Sequence, residues 1–321
     1  MTGETFMKIS EDFFLKHRLA VMRLSRDLLS AKLDEQLKTV DYYEEALSVS
    51  RGTVQKAMQF LIEQRCIETQ FRGHLGTYLL MKDEKKLWEF SGFGVLSGSM
   101  PLPLNNLSAG LATGICDCMK LSKTPFNFVF VQGSRTRMNG LQLGKYDFIV
   151  ASRLTESVLR KSFEDIECVM ELPGCTYGGR YVLLFADPKQ KTVEDGMTIA
   201  VDPTSVDQFY LTQELCKGKK RIRYFETTYV DTRYSVKRGE ADVTVSRLDV
   251  LEYFEMGSEH VKELNIPGFT KKEVDAFTNS MILARKDNYG LKEILQQVLR
   301  PTVISNAQRK VMTNLRVPSY Y

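Results

Sequence analysis

The sequence predicts an α/β protein in two parts: a small helical region closed by a β-hairpin, then a larger, two-lobed region of alternating strands and helices. Three observations carry this expectation. Two short helical patterns with a tight break between them precede a glycine-bounded hairpin within residues 41–82. From Gly92 onward, β-prone runs alternate with helical stretches. One glycine–aspartate–strand element occurs twice, at residues 141–154 and 236–248.

The 321 residues suit two domains, and 43% hydrophobic with 26% charged residues supply both a core and a solvated surface. Forty-four basic against 40 acidic side chains leave +4, too mild a balance for a chain coated throughout by nucleic acid. Any nucleic-acid surface must be local. No run approaches ~18 uncharged apolar residues, and the first residues lack a cleavable apolar core, so a soluble cytoplasmic protein is expected. Cys66, Cys116, Cys118, Cys168, Cys175 and Cys216 are expected as reduced thiols, with no histidine spaced to complete a zinc site. No metal or cofactor is expected.

The elements follow in order. Ser10 is expected to cap a first helix reaching about Leu33, Asp41 to cap YYEEALSV, and Ser50 to cap RGTVQKAMQFLIEQ. In the last of these, Val54, Ala57, Met58, Leu61 and Ile62 form one buried stripe, leaving Arg51, Thr53, Gln55, Lys56 and Gln59 outward. Any globular helix shows such a polar face. The sequel decides: Cys66 to Thr69 and Thr77 to Met81 flank FRGHLG, a turn carrying Arg72 and His74, and helix, helix, hairpin is a winged helix-turn-helix. Between Val49 and Lys82 the basic residues Arg51, Lys56, Arg65, Arg72 and Lys82 face only Glu63 and Glu68.

The stretch Leu47-Ser48-Val49-Ser50-Arg51-Gly52-Thr53-Val54-Gln55-Lys56-Ala57, with Leu61, resembles the turn and recognition helix of the GntR class of bacterial regulators, and Gly73 to Tyr78 resembles its wing. KTVDYYEEAL replaces that class's proline-bearing lead, and His74 and Leu75 separate the wing glycines. The resemblance implies that Ser50 caps the helix and donates to phosphate, that Arg51 reaches a guanine edge or phosphate, and that Thr53, Gln55 and Lys56 lie over the groove. Arg72 and His74 then meet backbone or minor groove. Double-stranded operator DNA and a homodimer addressing paired half-sites are the implied partners.

KDEKKLWEFSG marks a boundary, giving a reader at 1–84, a linker at 85–90 and an effector region at 91–321, with Trp88 as a packing residue. GVLSG, a helix from about Asn105 to Lys120, FNFVFV, DFIVAS, VLLFA, MTIAV, RIRYF, DVTVS and MILAR then read as a mainly parallel α/β pattern. In the repeat, Gly144 aligns with Gly239, Asp147 with Asp242, and Ser152-Arg153-Leu154 with Ser246-Arg247-Leu248. This pairing resembles the type II periplasmic-binding-protein fold, and the whole-chain order resembles the YhfZ family of regulators. The resemblance implies lobe I at 91–187 and 279–321, and lobe II at 188–278.

Ligands in open α/β sheets lie beyond the carboxyl ends of strands, beside helix N-termini. Those ends are expected at Ser97 and Ser99, Ser134 and Arg135, Ser152, Thr204 and Ser205, the run Thr227-Thr228-Tyr229, and Ser246 and Arg247. Each serine or threonine could simply cap a helix. Together they suit a small anionic or zwitterionic effector. His17, His74 and His260 are dispersed, and neither a nucleophile elbow nor a Walker lysine is present, so a ligand-responsive transcriptional regulator is expected rather than an enzyme. An enzyme or a solute-binding protein using the same cleft is the alternative.

Overall fold

The computed structural model describes residues 3–174, 176–253 and 255–320, and for residues 3–14 and 253 the backbone only. Cys175, expected as a thiol, lies outside the described residues. The chain divides into two compact units, residues 1–95 with 288–297 and residues 96–287 with 298–321.

In the first unit, α1 (Gly3–Ser30) starts well before Ser10, which is interior to the helix rather than its cap. Thr39, not Asp41, caps α2 (Val40–Leu47), its hydroxyl accepting the Tyr42 N–H at 3.2 Å. Ser50 caps α3 (Arg51–Glu63) as expected, accepting from Thr53 N at 3.3 Å. The antiparallel hairpin of β1 (Ile67–Phe71) and β2 (Thr77–Lys82) turns through Gly73–Leu75. Glu35 O accepts from Leu79 N at 3.1 Å and Thr77 O accepts from Leu37 N at 2.8 Å, so residues 35–37 run beside β2. Leu24, Leu28, Val54, Ala57, Leu61, Ile67 and Leu79 fill the core beneath. The expected linker is a helix, α4 (Glu84–Ser91): Asp83 caps it, Leu87 is buried, and Trp88 Nε1 donates to Gly94 O at 2.8 Å. A charged run that reads as a solvated connector thus supplies a cap and a first turn.

The second unit holds two five-stranded sheets. The first is built from β3 (Leu96–Met100), β4 (Phe126–Phe130), β5 (Phe148–Ser152) and β6 (Ile166–Leu172), with α5 (Asn106–Leu121), α6 (Ser134–Gln142) and α7 (Arg153–Leu159) between them. The second takes β7 (Tyr181–Phe185), β8 (Thr198–Val201), β9 (Arg223–Glu226), β10 (Val243–Arg247) and β11 (Val261–Glu263), with α8 (Val206–Leu215), α9 (Thr232–Lys237) and α10 (Leu248–Tyr253). After α11 (Lys271–Ala276), β12 (Ser280–Arg285) returns to the first sheet, giving the order β4-β3-β5-β12-β6 beside β11-β7-β10-β8-β9 in the second.

Each sheet has four strands running one way and one reversed, β12 in the first and β7 in the second, because a strand arriving from the other lobe enters against the direction of its neighbours. The expectation of mainly parallel sheets holds for strand direction, with one reversed strand in each. The exchange moves the lobe division, since β7, assigned to lobe I by a cut at residue 187, pairs with β10 in the second sheet. Between β12 and α13 (Pro301–Met312), the segment 288–297, holding most of α12 (Leu291–Val298), belongs to the first unit. There Arg26 Nη1 donates to Tyr289 O at 3.0 Å and the Tyr289 hydroxyl donates to Asp27.

The repeated element has one geometry in both sheets. Asp147 Oδ2 accepts the Ser97 N–H at 2.8 Å while Asp147 N donates to Ser97 O, and Asp242 Oδ2 accepts the Thr198 N–H at 2.7 Å while Asp242 N donates to Thr198 O. Each aspartate therefore clamps the start of the adjacent parallel strand, which fixes register and keeps it out of the cleft. Among the described residues no helix is long and apolar enough to cross a membrane.

Candidate functional site

On the reader, α3 presents Arg51, Gln55 and Lys56 to solvent, as expected. Thr53 does not face outward: it is buried, with its hydroxyl 2.9 Å from Ser50 Oγ, because the N3 side chain of a helix folds back on its cap. Arg51 forms an ion pair with Asp41, and its backbone N–H donates to Glu44 Oε1 at 3.2 Å. Arg72 is similarly engaged, donating to Asp34 at 2.8 Å and Gln70 at 3.0 Å while its guanidinium lies over the Tyr78 ring. His74 is exposed at the wing tip.

In the second unit the two lobes meet around a cavity of about 60 Å³. Roughly 10–15 Å³ seats one water centre, so a cavity of this size takes a ligand of few heavy atoms. Its walls include Met100 and Leu102, Ser134 and Arg137 on α6, Ser205 and Asp207 at the start of α8, then Tyr177, Tyr181, Tyr229 and Arg247. Direct bonds cross the cleft. Ser134 Oγ accepts from Val206 N at 3.0 Å, Thr155 Oγ1 donates to Asp207 at 2.6 Å, and Asn105 Nδ2 donates to Asp249 at 2.7 Å. Gly133, at φ +79°, permits the approach, since a Cβ there would lie 2.5 Å from Thr204 Oγ1.

The amino ends of α6 and α8 have no side-chain cap, and residues of both line the cavity, so their N–H dipoles add positive potential there. Arg137 is fully buried: Nη1 donates to Val131 O at 2.9 Å, Nη2 to the Tyr177 hydroxyl at 2.8 Å, and Nε has no hydrogen-bond partner among the described residues. No carboxylate pairs with it among the described residues. Arg247, by contrast, sits 3.6 Å from Asp249; burial opposes its charge, but that carboxylate raises its pKa and keeps it cationic. Burial first, and the charge of Asp207 second, push the Tyr181 phenol well above its ordinary value, so it acts as a neutral donor, at 2.8 Å, to Asp207.

Of the residues expected at the cleft, Ser134, Ser205, Tyr229 and Arg247 line the cavity. Ser97 and Ser99 do not, because β3 runs to Met100 and places both inside the strand. Ser152 caps α7, its hydroxyl accepting from Thr155 N at 2.9 Å. Ser246 is buried within β10, Arg135 is exposed with its backbone N–H on Thr204 O, and Thr204 donates both N–H and hydroxyl to Asp202. Arg137, Tyr177, Tyr181 and Asp207 escaped the sequence reading. Helical spacing carried part of the signal: Arg137 lies one turn beyond Ser134, on the same face.

A family model described as the YhfZ C-terminal domain matches residues 83–320, and one for a helix-turn-helix domain matches residues 32–79. The protein YhfZ of Escherichia coli strain K12 is 26% identical over 310 residues, which span 96% of this chain and 99% of that one. The crystal structure of YhfZ from Shigella flexneri overlays with a TM-score of 0.58 at 24% identity, over 74% of this chain and 97% of that chain. The periplasmic aliphatic sulphonate binding protein SsuA from Escherichia coli overlays with a TM-score of 0.51 at 15% identity, over 69% and 75% of the respective chains. These overlays show the fold: the second unit resembles two-lobed periplasmic binding proteins.

Proposed function

The chain belongs to the YhfZ family, and from that footing we propose that it is a ligand-responsive transcriptional regulator rather than an enzyme. A GntR-like winged helix-turn-helix reads operator DNA, and a small anionic or zwitterionic effector held between the lobes sets its affinity. The observation that carries this reading is a buried guanidinium, Arg137, at a cavity between the lobes in a chain that also exposes Arg51, Gln55 and Lys56 on a helix with a serine cap. A buried cation without a counter-ion is costly, and an anionic ligand supplies the missing partner.

On the DNA side, Ser50, Arg51, Gln55 and Lys56 contact the duplex, with Arg72 and His74 along the wing; Arg51 does so after leaving Asp41. The regulator acts in the cytoplasm as a homodimer, because one recognition helix spans too few base pairs for useful specificity. In the cleft, Ser134 and Ser205 bind the effector beside Arg137, and Arg247, held by Asp249, shapes the wall.

The test is a binding titration on the DNA upstream of the protein's own gene across a salt series. Arg51→Ala and Lys56→Ala are each expected to weaken binding and to shallow the log–log salt slope by roughly one unit. Unchanged affinity and slope in both variants defeat the reader. The likeness to a solute-binding protein favours a second reading, a binding module that no longer reads DNA; effector binding without any DNA binding would select it.

A further inference from the structure

We propose that the effector is a compact zwitterion, an ammonium and a carboxylate on a short carbon chain, with Arg137 taking its anionic end and Asp207 its cationic end. The inference rests on the cavity being the effector site and goes further by assigning both charges.

Two buried ions line this cavity and neither is neutralised by a partner ion among the described residues. Arg137 gives one donor to a carbonyl and one to a phenol, and its Nε has no hydrogen-bond partner among the described residues. Asp207, also buried, receives only hydroxyl hydrogens, from Thr155 at 2.6 Å and Tyr181 at 2.8 Å. A carboxylate offers about four lone-pair sites, so two remain. The two charges do not close on each other as an ion pair, whereas Arg247 and Asp249 nearby do. Opposite charges that line one small cavity without pairing with each other, each solvated by neutral dipoles, give its lining a positive part and a negative part. A mono-anion satisfies Arg137 and leaves Asp207 buried against it; a mono-cation does the reverse. A molecule carrying both charges satisfies both walls and adds no net charge to the closed cleft. The volume of about 60 Å³ limits it to a few heavy atoms. The Tyr229 hydroxyl, buried in the same wall without a hydrogen-bond partner among the described residues, is available to a ligand oxygen or nitrogen.

The experiment is calorimetric titration of the full chain with glycine, L-alanine and β-alanine, against propionate and ethylamine as single-charge counterparts. At least one zwitterion is expected to bind about tenfold or more tightly than either counterpart, since each charge-assisted hydrogen bond is worth that much or more. Asp207→Asn should bring that zwitterion down to the affinity of propionate, and Arg137→Gln should weaken zwitterion and propionate alike. The wild-type comparison stands even where a variant fails to fold. Equal binding of zwitterion and propionate by the wild type overturns the zwitterion and leaves an anionic effector in the cleft. A panel in which nothing binds overturns the inference too, while the salt-series titration on DNA judges the regulator independently.

Discussion

Arg51, the residue best placed to enter a DNA groove, is paired with Asp41 across a surface on which both side chains are more than half exposed. Such pairs contribute ~0–1 kcal/mol, and Arg51 must give that up when DNA phosphate displaces the carboxylate. Asp41→Asn is therefore expected to tighten operator binding, up to about fivefold at low salt, and Arg51→Ala should abolish the gain. Fluorescence anisotropy of the single and double variants checks this; an equal gain without Arg51 would mean that Asp41 acts through general repulsion alone. A second residue carries a pH dependence. Burial pushes the Cys116 thiol up to about 11 from 9.0. A raised acid pKa means that the folded state holds its proton longer, so the stabilisation is complete below pH 9 and is lost as pH rises from 9 toward 11. Thermal melts of Cys116→Ala should lose less stability over that window than wild type. Residues with local partners were legible in the sequence: Ser50 caps α3 because its acceptor reaches the N–H three residues on. Arg137 was not, because its role depends on Tyr177 and Val131, brought to it only by the folded lobes.

Elements were legible wherever the period was clean. The glycine–aspartate–strand element could be read twice because glycine turn, clamp and strand are contiguous, whereas β6 is flanked by no comparable signal and was not foreseen. Helix packing shows what spacing alone could not. On α5, Gly110 and Gly114 lie four residues apart and face α13, where added Cβ atoms would stand 2.7 Å from Gln308 Cα and 2.6 Å from Ile304 Cα. Those are backbone atoms of a packed helix, so accommodation requires α13 to move. Gly114→Ala is expected to destabilise the second unit by ~1–3 kcal/mol. Gly52, on the exposed face of α3, has nothing within 4 Å of such an atom, and Gly52→Ala should instead be neutral or stabilise the first unit by ~0.5–1 kcal/mol through helix propensity. Urea unfolding of both variants checks the opposite signs. A stable Gly114→Ala would show that the two helices are not close-packed in solution.

At the scale of the molecule, the two-lobed plan was legible from the repeat, but the strand exchange that makes the lobes was not. Nothing local tells β7 that it pairs with β10 in the second sheet, or tells residues 288–297 that they belong with the reader. Those are long-range pairings, set by the whole fold. If the proposed effector binds between the lobes, closure is an equilibrium that it shifts. Ser134 with Val206, Thr155 with Asp207 and Asn105 with Asp249 bond directly across the cleft, so the closed arrangement is partly stabilised by the protein itself. A ligand that binds only the closed state has an apparent affinity reduced by the closed fraction. Asn105→Ala removes one bridge together with the α5 cap that Asn105 Oδ1 gives the Ser108 N–H, leaves Asp249 with Arg247 and the Gly179 N–H, and touches neither Arg137 nor Asp207. A neutral-to-charged hydrogen bond is worth ~1.5–3 kcal/mol, so removing it should enlarge the open population and weaken effector binding by about tenfold or more. Small-angle scattering of the unliganded variant should show a larger radius of gyration that returns to the wild-type value at saturating effector. Weaker binding with an unchanged radius would place Asn105 in ligand contact rather than in closure, and an unchanged affinity would mean that the remaining bridges suffice to keep the lobes shut.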